Sequence, residues 1–73
     1  MVDILATRVW FEGGNLCLTL SDGHEMITPL SKFPQLRKAT DKQRQNWRLI
    51  GKGRGIHWAD IDEDISVTAL LKM

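Results

Sequence analysis

The sequence predicts an α+β domain: a three- to four-stranded antiparallel meander with two or three short helices packed on one face. Three observations predict it. Leu16, Leu18 and Leu20 alternate with Cys17, Thr19 and Ser21, the period of two that a half-buried strand requires. Gly13-Gly14-Asn15 and Ser21-Asp22-Gly23 bracket that run and supply the positive-φ residues of tight hairpin turns. Beyond Pro29 the alternation gives way to charged and amide residues, with helix-start signals at Pro34 and Thr40.

Each element follows in order. Residues 4–12 are rich in β-branched and aromatic side chains. Strict alternation would put Leu5, Thr7, Val9 and Phe11 on one face and Ile4, Ala6, Arg8 and Trp10 on the other. Residues 16–21 form the second strand, leucines inward. Residues 24–28 form the third, ended by Pro29, which cannot donate to a ladder. Pro34 suits a first helical position, so a helix begins over 35–39. Thr40 caps a second over 41–49, where Gln43, Trp47 and Ile50 at i, i+4 and i+7 make a narrow apolar stripe. Gly51, Gly53 and Gly55 stop it. Residues 56–58 read as a fourth strand and 59–64 as an acidic loop. Ser66 caps a final helix over 67–72, with Lys72 near its C-terminus, where a cation is favoured.

Length and composition bound the rest. The chain has 73 residues, which is one small domain, 1–73, with a thin stability margin. It has one cysteine, Cys17, so no intrachain disulfide forms, as suits a reducing compartment. The first residues lack a basic region followed by an apolar run, and no apolar stretch approaches the ~20 residues of a spanning helix. These features predict a cytoplasmic protein with no membrane partner.

The net charge of +1 conceals three blocks. Asp3, Glu12, Asp22 and Glu25 against Arg8 give −3 over residues 1–31. Eight Lys and Arg residues against Asp41 give +7 over 32–54, and the acidic end gives −3 over 55–73.

Asp60, Asp62 and Asp64 stand at positions 1, 3 and 5 of a calcium loop. Ile65 stands where that loop needs Gly, and Leu71 where it needs a bidentate Glu. Cys17, His24 and His57 have no metal-ligand spacing. They also lack the third group and oxyanion donors that a nucleophile requires. The glycines at 51, 53 and 55 lie between helix and strand, in the wrong order for a phosphate loop, with no hydroxyl after Lys52. No catalytic, cofactor or metal residues are assigned, and the chain is expected not to be an enzyme.

Candidate partner-binding residues are Trp10, on the strand face that carries Arg8, and the cations Arg37, Lys38, Arg44, Arg48, Lys52 and Arg54. On a continuous helix Arg44 and Arg48, at i and i+4, share a face. Three readings of this belt stand: a solvated face balanced by the acidic flanks, docking to an acidic protein partner, and contact with nucleic-acid phosphates. In the absence of a nucleic-acid motif they rank in that order. A strand at 4–12 with a free edge also offers a second copy of the chain a ladder, which would make a homodimer.

Three stretches carry a family resemblance: Leu18-Thr19-Leu20-Ser21-Asp22-Gly23; Phe33-Pro34-Gln35-Leu36 with Ala39-Thr40; and Gly55-Ile56-His57-Trp58-Ala59-Asp60-Ile61-Asp62-Glu63-Asp64-Ile65 with Leu70-Leu71. On these the chain resembles the uncharacterised bacterial family named domain of unknown function 2442 over nearly its whole length. It departs from the family at Ala59, where relatives usually carry Pro. The resemblance implies an antiparallel meander packed with helices. Some relatives carry a helix-turn-helix DNA-binding domain behind this module. Others are encoded beside a second small protein in arrangements that look like toxin–antitoxin pairs. The resemblance therefore implies an interaction module, antitoxin-like or regulatory, whose partner is a protein encoded by a neighbouring gene. It supplies no catalytic residues.

Overall fold

A computed structural model describes residues 4–72. The α+β class holds: every strand pairing is antiparallel and three short helices accompany the strands. Six strands form two three-stranded sheets, each a simple meander. The first sheet contains β1 (Ala6–Glu12), β2 (Asn15–Leu20) and β3 (Glu25–Pro29). A 3-10 turn at Leu30–Lys32 leads to α1 (Pro34–Lys38) and α2 (Asp41–Gln45). The second sheet contains β4 (Trp47–Ile50), β5 (Gly55–Trp58) and β6 (Glu63–Ser66), and α3 (Val67–Leu71) follows it.

The turn chemistry acts as the sequence predicts. Glu12 pairs with Asn15 across a two-residue loop in which Gly13 has φ 55° and Gly14 φ 78°, the twist that matches flanking strands. The leucines of β2 are all buried. Strict alternation in β1 fails at its start. Ala6 pairs with Leu20 and Arg8 with Thr19, which leaves Thr7 as a bulge. The extra residue shifts the phase, so Ala6 joins Val9 in the core rather than sharing the face of Arg8 and Trp10.

The helix starts also hold. Pro34 opens α1. Thr40 caps α2 in a reciprocal box: its hydroxyl accepts from Gln43 N at 3.1 Å, and Thr40 N donates to Gln43 Oε1 at 3.0 Å. Ser66 caps α3 by accepting from Ala69 N at 3.3 Å.

The helix expected over 41–49 is corrected: it stops at Gln45, and residues 47–50 are a strand. Trp47 and Leu49 turn inward against the core while Arg48 and Ile50 turn out, which is a period of two. The apparent helical stripe contained only two apolar residues, Trp47 and Ile50. Pairing with β5 overrides so weak a local pattern. The acidic loop is also shorter than expected, because Glu63 and Asp64 open β6.

The inner faces of both sheets meet in one core. Ala6, Val9, Leu16, Leu18 and Leu20 come from the first sheet and Ile56, Trp58 and Ile65 from the second; Leu36, Val67 and Leu70 close it from the helices. Phe11 meets Trp58 edge-on with ring centroids 6.4 Å apart, a favoured aromatic geometry. Among the described residues no helix is long and apolar enough to cross a membrane.

Candidate functional site

The second sheet positions a polar row on its outer face. Arg48 pairs with His57, and His57 with Asp64. Their neighbours Leu49, Ile56 and Ile65 point into the core, so alternation turns these three outward together. His57 Nδ1 is hydrogen-bonded to Asp64 Oδ1. That contact fixes the ring and leaves Nε2 for another group.

The next row is Ile50, Gly55 and Ser66. Here the surface dips into a depression of about 290 Å³ whose lining includes Ile50, Arg54, Gly55, Asp64 and Ser66. Gly55 forms its floor: a Cβ there would lie 3.2 Å from Ile50 Cγ1 and partly fill it. Ile50 is 39 % exposed, one of three exposed large aliphatic side chains among the described residues, with Ile27 and Leu71. A second depression of about 220 Å³ lies on the other side of the polar row, lined by Asn46, Trp47, Arg48, His57 and Ala59. Among the described residues no hydrogen bond joins Ser66 to the His57–Asp64 pair; its hydroxyl accepts from Ala69 N at the start of α3. The arrangement therefore presents a cation, an oriented imidazole and an apolar dip side by side, which suits recognition of a chain segment.

The residues named from sequence are dispersed. Arg48 lies on this face and Arg54 beside it, while Lys52 is exposed in the turn Gly51–Gly53 between β4 and β5. Arg37 and Lys38 are exposed at the end of α1. Trp10 is on the outer face of the first sheet, under the Arg8 guanidinium at 5.2 Å, so it does share a face with Arg8.

Arg44 belongs to the scaffold. Its Nε donates to the Leu36 carbonyl at 2.8 Å, its Nη2 to the Arg37 carbonyl at 2.8 Å and its Nη1 to Asp41 Oδ1 at 3.2 Å. It does not share a face with Arg48, because α2 has ended before Arg48.

Asp60 accepts from Asn46 Nδ2 at 3.0 Å and Asp64 holds His57. Among the described residues no carboxylate lies within ion-pair distance of Arg37, Lys38, Arg48 or Lys52. Nor does any group of three or more His, Cys, Asp or Glu side chains gather to hold a metal ion among them.

Three further titratable groups lie away from this face. Burial pushes the Cys17 thiol up, with Glu12 and Glu25 adding to the effect. At the turn before β3, the hydrogen bond between His24 Nδ1 and Asp22 Oδ2 raises the imidazole and lowers the carboxylate.

The Arg48–His57–Asp64 row was missed from sequence. Its signal was present in the alternation of Ile56, Trp58 and Ile65, which sets His57 and Asp64 on the face opposite the core once 63–66 is read as a strand.

Residues 6–73 match the sequence model of a family described as "Protein of unknown function (DUF2442)". The chain belongs to this family. No curated protein matches it. Two solved structures share the DUF2442 chain's fold. One is a crystal structure of a protein of unknown function from Rhodospirillum rubrum ATCC 11170. It has 23 % identity and a TM-score of 0.85, over 97 % of this chain and 88 % of that one. The other is a solution structure of an uncharacterized protein from Chromobacterium violaceum. It has 20 % identity and a TM-score of 0.78, over 93 % of this chain and 64 % of that one. At such identities the likeness is one of fold.

Proposed function

We propose that this DUF2442 chain is a small non-enzymatic interaction module of the cytoplasm, the antitoxin-like or regulatory member of a two-protein pair. Its docking site is the outer face of the second sheet, and its partner presents an acidic segment carrying one apolar side chain. The observation that supports this reading is Arg48, an exposed cation with no carboxylate within ion-pair distance among the described residues, two residues from the solvent-exposed Ile50 on the same face. The depression at Ile50 and Gly55 takes the apolar side chain, and Arg48 meets the acidic residue beside it. Aromatic and Arg anchors at the centre of a patch supply most of an interface's affinity. The test is co-expression with the product of the adjacent gene. A complex is expected, and Arg48→Glu with Ile50→Asp abolishes it. Absence of a complex between the wild-type proteins ends the reading.

The alternative is an accessory protein that contacts nucleic-acid phosphates. Exposed Arg37, Lys38 and Lys52, without ion pairs among the described residues, favour it. Phosphate contacts predict binding that falls steeply with salt. Arg44 is unsuitable for testing this, since its substitution damages the scaffold. Arg37→Glu with Lys38→Glu and Lys52→Glu removes the binding if this reading holds, and absence of binding at low salt refutes it.

A further inference from the structure

The first sheet has an outer face of its own, made of three rows that cross all three strands. Arg8, Thr19 and Glu25 form one row; Trp10, Cys17 and Ile27 the next; Glu12, Asn15 and Pro29 the third. Both sheets' inner faces, together with α1 and α3, are committed to the core on the other side. Ile27, at 65 % exposed, is the most open large aliphatic side chain among the described residues. Cys17 is only 2 % exposed, although alternation with the inward Leu16 and Leu18 sets it on this outer face. Its row neighbours are Trp10 and Ile27, whose Cβ atoms stand ~5 Å away across the ladder. The central row is thus an apolar band, with a cation and an anion at opposite ends of the row above it.

We infer that this face is self-complementary and that its occupant is a second copy of the chain. A two-fold axis along β2, lying between two such faces, keeps each row at its own height and exchanges β1 with β3. Arg8 of each copy then faces Glu25 of the other, twice by symmetry. Trp10 of each copy faces Ile27 of the other, and Cys17 lies on the axis. The bulky edge of one sheet meets the slighter edge of its mate, so the separation stays even. A two-fold perpendicular to the strands would instead set Trp10 against Trp10 and Ile27 against Ile27, close at one edge and gaping at the other. It would also set Arg8 against Glu12. Stacked sheets align within about 30°, and Arg8 and Glu25 are long enough to meet across that offset.

The contact is small. Three rows of three residues fall below the roughly 20–30 residues a side of a standard interface, so association is weak and depends on concentration. It is independent of the docking site on the second sheet and uses neither free strand edge.

Sedimentation equilibrium over micromolar to millimolar protein at low salt tests it. Wild type shows a monomer–dimer equilibrium that weakens as salt rises. Arg8→Glu weakens dimerisation by about tenfold, since two attractive pairs become two repulsive ones. Arg8→Glu with Glu25→Arg restores it, which no folding defect would do. Ile27→Asp abolishes it while circular dichroism shows an intact fold. A wild-type monomer throughout that range overturns the proposal. So does rescue of Arg8→Glu by Glu12→Arg in place of Glu25→Arg.

Discussion

Trp58 Nε1 donates to the main-chain carbonyl of Arg44 at 2.9 Å, and this contact ties the last turn of α2 to the centre of the second sheet. Trp58 is fully buried, so its indole N–H needs a partner, and the helix end supplies an otherwise unpaired carbonyl. The Arg44 side chain braces the end of α1: it donates to the Leu36 carbonyl, which also accepts from Ala39 N, and to the Arg37 carbonyl. One residue thus joins two helix ends and a sheet.

Arg44→Met therefore destabilises the fold although it keeps the aliphatic stem. Two carbonyls lose a charged donor, at a cost of about 2–3 kcal/mol. Lys has no planar fork and satisfies one carbonyl at a time, so Arg44→Lys recovers only part of the loss. Urea unfolding followed by Trp fluorescence measures both. A change under 0.5 kcal/mol for Arg44→Met would contradict a structural role.

Gly53→Ala is the most damaging glycine substitution expected. Its φ of +105° disfavours a side chain, and an added Cβ would stand 2.4 Å from the Ala6 carbonyl oxygen. That approach is backbone on backbone, where the loop between β4 and β5 presses on the start of β1. Neither side yields without moving a sheet, so the loss is at least ~3 kcal/mol. Gly14→Ala is the control: φ is +78° with nothing within 4 Å, so only the conformational cost of about 1 kcal/mol applies. Equal losses at the two positions would show that the close approach does not matter.

The contrast between these elements explains what the sequence revealed. The first sheet was legible because its turns are glycine pairs and Asp-Gly, and its central strand alternates Leu16, Leu18 and Leu20. Thr40 and Ser66 announced helix starts through local hydrogen bonds that need no distant partner. Of the second sheet only the central strand, expected at 56–58 and found at Gly55–Trp58, was legible; its two flanking strands were not. Residues 47–50 lie in a charged stretch with only two inward side chains, and Glu63 and Asp64 have poor strand propensity. Their strands exist because Ile56 and Trp58 between them are buried, a fact of tertiary packing. Arg44 illustrates the same limit at the candidate site. Its charge was visible, but its commitment to two carbonyls eight and seven residues upstream depended on the turn between α1 and α2.

The pair Asp22–His24 predicts a pH signature confined to one turn. The side-chain hydrogen bond holds the imidazole above its usual 6.5 and the carboxylate below its usual 3.8. The raised histidine contributes fully below 6.5 and loses its contribution as pH rises through the folded value. The lowered aspartate contributes above 3.8 and loses it as pH falls through the folded value. The ion pair thus stabilises the turn between those limits and fades on either side. Both groups are exposed, so salt screens the effect. NMR titration of the His24 ring should give a value above 6.5 that returns to normal in Asp22→Asn. An unchanged titration in that variant refutes the pairing.

Cys17 should behave as a slow thiol, and the reason for its slowness can be separated by mutation. Burial is the first cause of its raised ionisation and the carboxylates of Glu12 and Glu25 are secondary. The thiolate is the reactive form, so in dilute native protein a disulfide reagent reacts far more slowly than in urea. Removing the charges, Glu12→Gln with Glu25→Gln, accelerates the reaction modestly. Uncovering the sulfur with Ile27→Ala or Trp10→Ala accelerates it more, since these side chains flank Cys17 in its row. The same shift has a sign in stability. Below the ordinary thiol value of 9.0 the group is neutral folded and unfolded, and contributes nothing to pH dependence. As pH climbs past that value the unfolded chain ionises first, so stability falls until the folded thiol ionises too. Cys17→Ala removes that alkaline fall. If the double Gln variant reacts faster than Ile27→Ala, charge rather than cover controls this thiol, and the account of the outer face as an apolar band over Cys17 fails.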